Sequence, residues 1–189
     1  MKLSHLKPEA YVTTRWAGGT TTQLAIAPPD ALYADRDFLW RVSSAAVELE
    51  ESDFTALPDY LRYISNLRGE MRLNHDGGPS LTLVPGQVHA FDGAARTHSW
   101  GRCTDFNLML RKGRAAGDLR SLRTDKGGVT AAAERETVLL YCDAGGSVRA
   151  EGETVALAPG EALLLEDAKG VGMDLTGQSL WMLAQITLL

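Results

Sequence analysis

The chain has 189 residues, of which 44% are apolar and 23% are charged, and its formal net charge at pH 7 is −5. This composition is typical of a folded globular protein, and the acidic balance argues against a general binder of nucleic acid or of anionic membranes. The sequence has no apolar segment of membrane-spanning length and no signal-peptide core near its N-terminus, so we expect a cytoplasmic location.

Short segments in which every second residue is apolar predict β-strands along most of the chain. The strands predicted in the first part are Thr20–Ile26, Phe38–Leu49, Leu61–Leu67, Glu70–Asn74, Ser80–Val84 and Thr104–Arg111. Those predicted in the last part are Thr137–Cys142, Gly146–Ala150, Thr154–Ala158, Glu161–Leu165 and Ser179–Leu188. Between them, residues 115–122 could form one or two helical turns, limited by nearby glycines. Many short strands at close spacing indicate a sandwich or a barrel.

A strand–turn–strand pattern occurs twice in the chain. The segment around Pro85-Gly86 resembles the segment around Pro159-Gly160, and both place a Pro-Gly turn between two predicted strands. Proline fixes φ and glycine supplies a positive φ, so the pair can reverse the chain within a sheet. Two stacked jelly-roll barrels would contain such a repeat, although Pro-Gly turns are common enough to recur by chance.

The cysteines and histidines do not predict a disulfide framework or a metal site. Cys103 and Cys142 lack CxxC spacing, and we expect buried or free thiols. The four histidines form no HxH pair, and only His75 and His89 lie near the first Pro-Gly turn. A metal site in a small β-barrel usually needs three imidazoles and a carboxylate, so we expect neither a metal nor another cofactor. Motifs for a nucleophile elbow, a phosphate-binding loop or a dinucleotide fold are also absent.

Polar residues occupy strand positions at which a simple core strand would be apolar. Gly19 allows close backbone approach, and Thr21 and Gln23 offer hydrogen-bonding groups, although an edge strand facing solvent would explain them equally. On the next strand, alternation places Arg41 and Ser43 on one face. An inward Arg41 would need an anion or another partner, because an unpaired buried charge is costly. The same question applies to Arg62, and the alternative is an arginine that extends along the sheet to solvent.

The strand at residues 104–111 combines an apolar face with a polar one. Asp105, Asn107 and Met109 share one side, and Phe106, Leu108 and Leu110 share the other. The apolar side requires a core. The polar side would suit a small pocket, and a surface strand with a partly exposed methionine explains the pattern equally well.

These segments, taken in chain order, resemble the HutD/Ves family. The resemblance rests on Trp16–Gly18-Gly19–Thr21-Thr22-Gln23, Phe38–Trp40-Arg41–Ser43–Ala45, Phe54–Leu57-Pro58, Arg62–Leu67–Gly69-Glu70, Phe91–Gly93 and Asp105-Phe106-Asn107–Met109. The last block is the most specific, and together the blocks cover the first two thirds of the chain. Many family members have an Asn where this chain has Ala17, so its ligand or pocket can differ from theirs.

The resemblance implies an all-β bicupin, with two stacked jelly-roll barrels of the RmlC-like type, little helix and no cupin metal motif. We divide the chain into an N-terminal barrel at 1–111, a connecting segment at 112–136, and a second barrel at 137–189 completed by N-terminal strands. Some family members are encoded with histidine-utilisation enzymes, and the family is thought to bind a pathway metabolite such as urocanate or formylglutamate. No catalytic activity is implied.

Three hypotheses about function follow. We favour a metal-free, non-catalytic receptor for a small carboxylate-bearing metabolite, which modulates histidine utilisation and in which an arginine pairs with the carboxylate. The predicted ligand-binding residues are Gly19, Thr21, Gln23, Arg41, Ser43, Arg62, Asp105 and Asn107. The second hypothesis is a cupin isomerase or hydrolase that uses Asp105 or His89 as an acid or base. The third is a structural or interaction protein. We expect no nucleic-acid or membrane partner, and a homodimer remains open.

Overall fold

A computed structural model describes residues 1–189 and consists almost entirely of β-strands, which confirms the all-β prediction. Two short 3-10 turns, Pro8–Ala10 and Tyr33–Asp35, are its only helical segments, and neither is of a kind that could cross a membrane. The strands are β1 (Lys2–Leu6), β2 (Val12–Trp16), β3 (Gly19–Ala27), β4 (Trp40–Val47), β5 (Glu51–Asp53), β6 (Tyr60–Gly69), β7 (Arg72–His75), β8 (Leu81–Thr82), β9 (Val88–Asp92), β10 (Thr97–Trp100), β11 (Cys103–Arg111), β12 (Ala115–Thr124), β13 (Val129–Ala132), β14 (Thr137–Cys142), β15 (Gly146–Ala150), β16 (Glu153–Leu157), β17 (Ala162–Glu166), β18 (Gly172–Thr176) and β19 (Ser179–Leu188).

The chain forms two compact units. The N-terminal unit comprises residues 12–116 with Leu189, and the C-terminal unit comprises residues 117–188 with residues 1–11. These limits differ from the division at 1–111, 112–136 and 137–189. The first eleven residues belong to the C-terminal unit because β1 pairs with β17 along its full length.

The expectation of helical turns at residues 115–122 is wrong, since these residues lie in β12. This strand joins β19 at the edge of a sheet, which satisfies its backbone groups without a helix. Gly117 allows the close approach: a Cβ at this position would lie 2.2 Å from the carbonyl oxygen of Gln185. The sequence analysis interpreted the glycines of this segment as helix breakers, whereas in the structure Gly117 permits close packing of two strands.

Both units contain a larger and a smaller antiparallel sheet with matching strand order. In the N-terminal unit the sheets are β2-β3-β4-β11-β6-β9 and β5-β10-β7-β8. In the C-terminal unit they are β1-β17-β14-β19-β12 and β13-β18-β15-β16. The order β4-β11-β6-β9 corresponds to β12-β19-β14-β17, and β5-β10-β7-β8 corresponds to β13-β18-β15-β16. The structure therefore supports the duplication that the repeated strand–turn–strand pattern predicts.

The two Pro-Gly turns are alike in backbone geometry. The φ angle is +87° at Gly86 and +85° at Gly160. In each turn, the residue after the glycine donates its backbone N–H to the carbonyl of the residue before the proline, at 2.9 Å in the first turn and 3.1 Å in the second. This is the turn geometry in which proline sets φ and glycine accepts the positive φ.

The apolar interiors of the two units differ in continuity. In the C-terminal unit one cluster extends through the strands and includes Val138, Leu163 and Trp181. In the N-terminal unit the buried apolar residues form separate clusters, one around Ile64 and another around Phe38. Five of its buried polar residues form the candidate site described below: Arg41, Ser43, Arg62, Asp105 and Asn107.

Strands β3 and β4 of the N-terminal unit approach each other closely at Gly19. Its φ is +148°, and an added Cβ would lie 1.9 Å from the carbonyl oxygen of Ala46. Gly77, in the same unit, has a φ of +75° and open space around it. We expect Gly77→Ala to cost about 1–2 kcal/mol through backbone strain alone. Gly19→Ala should cost at least twice as much, because strand separation is added to strain. Urea unfolding of both variants measures this, and equal losses would contradict it.

Candidate functional site

Strand register brings the predicted polar residues to one face of the larger N-terminal sheet. Across β4 and β11, Asn107 lies opposite Ser43 and Met109 lies opposite Arg41. Across β11 and β6, Met109 lies opposite Arg62. Directly opposed residues of an antiparallel pair point to the same side of the sheet, so these side chains converge. The predicted alternation on both β4 and β11 is therefore confirmed.

The converging side chains surround a cavity of about 280 Å³. Its lining residues are Thr14, Trp16, Thr21, Tyr33, Arg41, Ser43, Ala45, Val47, Ser52, Asp53, Phe54, Thr55, Arg62, Asp105, Asn107 and Met109. This volume lies just below the usual range for small-molecule pockets, which begins at about 300 Å³. It would hold a metabolite of about a dozen non-hydrogen atoms rather than a large cofactor.

Arg41 is almost fully buried, with 5% of its surface exposed. Its Nε donates to Oε1 of Gln23 at 2.7 Å, and one terminal nitrogen donates to Oγ of Ser43 at 3.3 Å. Its guanidinium carbon lies 4.3 Å from the ring centroid of Tyr33, at cation–π distance. Burial lowers the pKa of Arg41 to about 10, which leaves the group charged at neutral pH. These partners are neutral, so they orient the charge without cancelling it.

Arg62 is buried to a similar degree and is less well satisfied. Its terminal nitrogens lie 3.4 Å from Oδ1 of Asn107 and 3.4 Å from the carbonyl oxygen of Thr55, which are long contacts for charged donors. Its guanidinium carbon lies 5.2 Å from the Phe54 ring centroid and 5.0 Å from that of Phe91. Nε has no hydrogen-bond partner. Burial lowers the pKa of Arg62, as expected for a charge removed from water.

Asp105 supplies a carboxyl group to the same cavity. It is 3% exposed, and its Oδ1 accepts a hydrogen bond from Nδ2 of Asn107 at 2.6 Å. Burial raises the pKa of Asp105 to about 7, although the positive charge of Arg62 acts in the opposite direction. At neutral pH the carboxyl is therefore only partly ionised, and it interacts with the charge of Arg62. The buried charged groups of the lining are thus two guanidinium groups and one partly ionised carboxyl.

Two predicted ligand contacts lie outside the cavity lining. Gly19 forms the close approach of β3 to β4 described above, so its role is in the backbone. Gln23 accepts from Arg41, so it acts on the arginine rather than on the cavity surface. A β-bulge between Gln23 and Ala25 shifts the pairing of β3 with β4 at this point, which regular alternation could not reveal.

Several lining residues were not predicted from the sequence. Tyr33 comes from a 3-10 turn, Phe54 follows the short strand β5, and Trp16 ends the exposed strand β2. Trp16 and Phe54 belong to the motifs that carry the family resemblance, and those motifs could have indicated that they line the cavity. Tyr33 had none, because aromatic residues in connecting segments usually serve the core.

His75 and His89 are in contact, whereas the sequence analysis treated them as separate imidazoles. Their Nε2 atoms lie 2.9 Å apart, and Nδ1 of His75 lies 2.8 Å from Oγ1 of Thr97. The two histidines lie on β7 and β9, which belong to different sheets of one unit, so the contact joins the two sheets and does not arise from strand pairing. Burial lowers the pKa of both histidines, and the charge of His89 adds to this effect at His75. The structure contains no group of three or more His, Cys, Asp or Glu residues arranged to hold a metal.

The family model for HutD matches residues 8–183. The chain belongs to the HutD family. An uncharacterised 21.2 kDa protein from the hutC 3′ region of Pseudomonas putida is 33% identical over 114 residues, which are 57% of this chain and 58% of that protein. The chain thus spans less than two thirds of that relative.

Solved structures extend the similarity to the whole chain. A conserved protein of unknown function from Pseudomonas aeruginosa PAO1 has a TM-score of 0.84 at 30% identity, with 100% of this chain and 99% of that one covered. HutD from Pseudomonas fluorescens SBW25 has a TM-score of 0.80 at 26% identity, with both chains covered completely. A nickel complex of the bacterial pirin YhhW from Escherichia coli, at 11% identity and a TM-score of 0.65, covers 97% of this chain and 98% of its own. This last likeness shows the fold alone, and it supports the predicted bicupin class.

The raised pKa of Asp105 predicts a pH-dependent stability. An aspartate in an unfolded chain has a pKa of about 3.9, so the folded state binds the proton more tightly. Wild-type stability should therefore fall as the pH rises from about 4 to about 7. Asp105→Asn removes this dependence, so its free energy of unfolding relative to wild type should increase over that interval and then become constant.

Asp92→Asn is a matched control for this measurement. Asp92 is exposed, and its hydrogen bond from Lys112 lowers its pKa. Its substitution should produce a small effect of the opposite sign, with wild type favoured above the unfolded pKa. Chemical unfolding between pH 4 and pH 8 provides the comparison. A pH-independent difference between Asp105→Asn and wild type would contradict the assignment of the shifted group.

Proposed function

We propose that this protein is a receptor for a small carboxylate-bearing metabolite, which binds in the N-terminal cavity. The principal support is that Arg41 and Arg62, both buried, face one cavity with neutral hydrogen-bonding partners. Asp105 is the buried carboxyl of this lining, and because it is only partly ionised at neutral pH it offsets at most one of the two charges. A buried charge that is not offset costs several kcal/mol, and a ligand carboxylate would reduce this cost. Guanidinium groups bind carboxylates in bidentate fashion.

The other polar groups suit a ligand that also has an N–H group. Asp105 is an acceptor when ionised, and Ser43 and Thr21 have hydroxyl groups at the cavity wall. Phe54, Tyr33 and Met109 provide apolar surface for the body of the ligand. Urocanate and formylglutamate both combine carboxylate and N–H groups in a size compatible with the cavity.

The place of relatives in the genome supports a role in histidine utilisation. The Pseudomonas putida relative is encoded in the hutC 3′ region, and a structural neighbour is named HutD. On this basis we propose that the bound metabolite belongs to histidine catabolism and that the protein modulates this process in response to it. The cavity beside Asn107 argues against the hypothesis of a purely structural protein.

Ligand binding predicts a thermal shift. A ligand present at a hundredfold excess over its Kd should stabilise the protein by about 2.7 kcal/mol, which corresponds to a rise in the unfolding midpoint of about 5–10 °C. Urocanate and formylglutamate are the probes, and urocanate methyl ester is the control that lacks the carboxylate. Absence of a shift with both acids at millimolar concentration would contradict the pathway assignment.

The substitution Arg62→Met tests whether the arginine contributes to ligand binding independently of its effect on folding stability. Methionine has a similar length without the charge, so the variant avoids the cost of burying an incompletely paired guanidinium. At pH 6, below the pKa of Asp105, the substitution leaves little carboxylate charge without its partner. We expect the ligand-free variant to be at least as stable as wild type and to lose the thermal shift. Arg96→Met is the matched control, because the side chain of Arg96 is 86% exposed. A ligand-dependent shift that persists in Arg62→Met would contradict the proposed anion site.

Acid–base catalysis is the second candidate function, and the position of Asp105 favours it. A buried carboxyl group with a pKa of about 7 near the Arg62 guanidinium is suited to proton transfer near neutral pH. If the protein is an enzyme, Asp105→Asn should retain ligand binding and lower turnover of the bound compound by about a hundredfold or more. Product analysis by NMR after prolonged incubation with each ligand distinguishes this candidate from a receptor, for which wild type would leave the ligand unchanged.

A further inference from the structure

The histidine pair at β7 and β9 lies apart from the cavity and has an unusual geometry. The ring centroids of His75 and His89 are 5.1 Å apart, their Nε2 atoms are 2.9 Å apart, and their planes differ by 23°. If both Nε2 atoms lay on the line between the two ring centroids, the centroid separation would equal the Nε2–Nε2 separation plus the centroid-to-Nε2 distance within each ring. The observed centroid separation is close to this sum. The rings therefore meet end to end, and both Nε2 atoms point at each other along a nearly straight line.

The tautomer of His75 follows from its other hydrogen bond. Oγ1 of Thr97 donates to the carbonyl oxygen of Ala95 at 3.4 Å, so it can accept from Nδ1–H of His75 at 2.8 Å. The lone pair of His75 Nε2 is then directed at His89. In the metal-free protein, Nε2–H of His89 donates a hydrogen bond to this lone pair. A histidine whose second nitrogen is fixed by a hydrogen bond is a typical metal ligand.

We propose that His75 and His89 form a two-coordinate binding site for a monovalent d10 ion, Cu⁺ or its analogue Ag⁺. Such ions accept two imidazole nitrogens in a linear arrangement and need no third protein ligand, and imidazole is a suitable ligand for copper. The ion takes the place of the proton between the rings. His89 then holds its proton on Nδ1, so binding needs no net release of a proton.

The size and charge of the surroundings agree with this ion. Metal–imidazole bonds of about 2.0 Å require the two Nε2 atoms to separate to about 4 Å, which rotation of half-buried side chains permits. Asp76 and Arg62 act on His75 with opposite charges, so the local field does not favour a doubly charged ion.

Titration of the intact protein with Ag⁺, which is not reduced or oxidised under these conditions, tests the proposal. We expect one ion to bind at the histidine pair. An ion bound by the thiol of Cys103 or Cys142 is distinguished from it because the histidine substitutions do not affect its binding. His75→Gln and His89→Gln should each lower the affinity by more than about 100-fold, and Thr97→Val should lower it by about 10-fold, because it releases the orientation of His75. His98→Gln is the matched control and should bind as wild type, since His98 contacts Asp53 and Glu51 instead.

A second measurement does not depend on substituted proteins. In nitrogen-15 NMR of wild type, Ag⁺ should shift the Nε2 signals of two histidines only. Absence of binding, or binding that the His75 and His89 substitutions leave unchanged, would overturn the proposal and direct attention to the thiols of Cys103 and Cys142. Tighter binding of Ni²⁺ or Zn²⁺ than of Ag⁺ at the pair would overturn the linear geometry. Arg62→Met should retain Ag⁺ binding, because the cavity is a separate site.

Discussion

Two buried positive charges determine the character of the N-terminal unit. Arg41 and Arg62 are 5% and 7% exposed, and both line the same cavity. The energetic penalty of removing a guanidinium from water is reduced by hydrogen bonds and aromatic faces, but neutral partners cannot remove the charge. The apolar clusters of this unit supply the aromatic faces, since Phe91 and Phe54 lie against Arg62 and Tyr33 lies against Arg41. The unit thus combines a β scaffold and apolar clusters with a charged interior, whose positive charge Asp105 offsets only in part.

Asn107 links the charged groups of this interior. Its Oδ1 lies 3.4 Å from Arg62, and its Nδ2 donates to Asp105 at 2.6 Å. The amide therefore has one orientation, with its acceptor toward the cation and its donor toward the carboxyl. Asp105 offsets the positive charge only in its ionised form, and burial holds its pKa near 7. The excess of positive charge in the cavity is accordingly larger at lower pH.

Sequence patterns predicted the side of a strand on which a residue lies better than they predicted contacts between residues that are far apart in the chain. Alternation on β4 and β11 placed Arg41 and Asn107 on the cavity side because a strand has a period of two wherever it is regular. The bulge beside Gln23 and the contact between His75 and His89 depend on pairing between strands, which alternation does not contain. The prediction of helical turns at residues 115–122 was wrong for the same reason, since the partner strand β19 lies at the far end of the chain.

The C-terminal unit provides an internal comparison for the site. In each unit the glycine of the Pro-Gly turn donates its N–H to one carbonyl, that of Asn66 in the first and that of Cys142 in the second, which aligns the two folds. When this alignment is extended along the paired strands, each polar residue of the site has an equivalent in the C-terminal unit. Arg62 corresponds to Val138, Asn107 corresponds to Leu183, and Asp105 corresponds to Trp181.

The C-terminal unit therefore forms the same sheets with apolar residues at these positions, all of them buried. The fold does not need a guanidinium, an amide and a carboxyl group at this place, and an apolar interior would be less costly. His89 has an apolar counterpart as well, since Leu163 lies opposite Leu140 as His89 lies opposite Ile64. Because the C-terminal unit forms the same sheets without these groups, the sheet arrangement does not depend on them. Their presence in one unit only is therefore an argument in favour of the proposed receptor function.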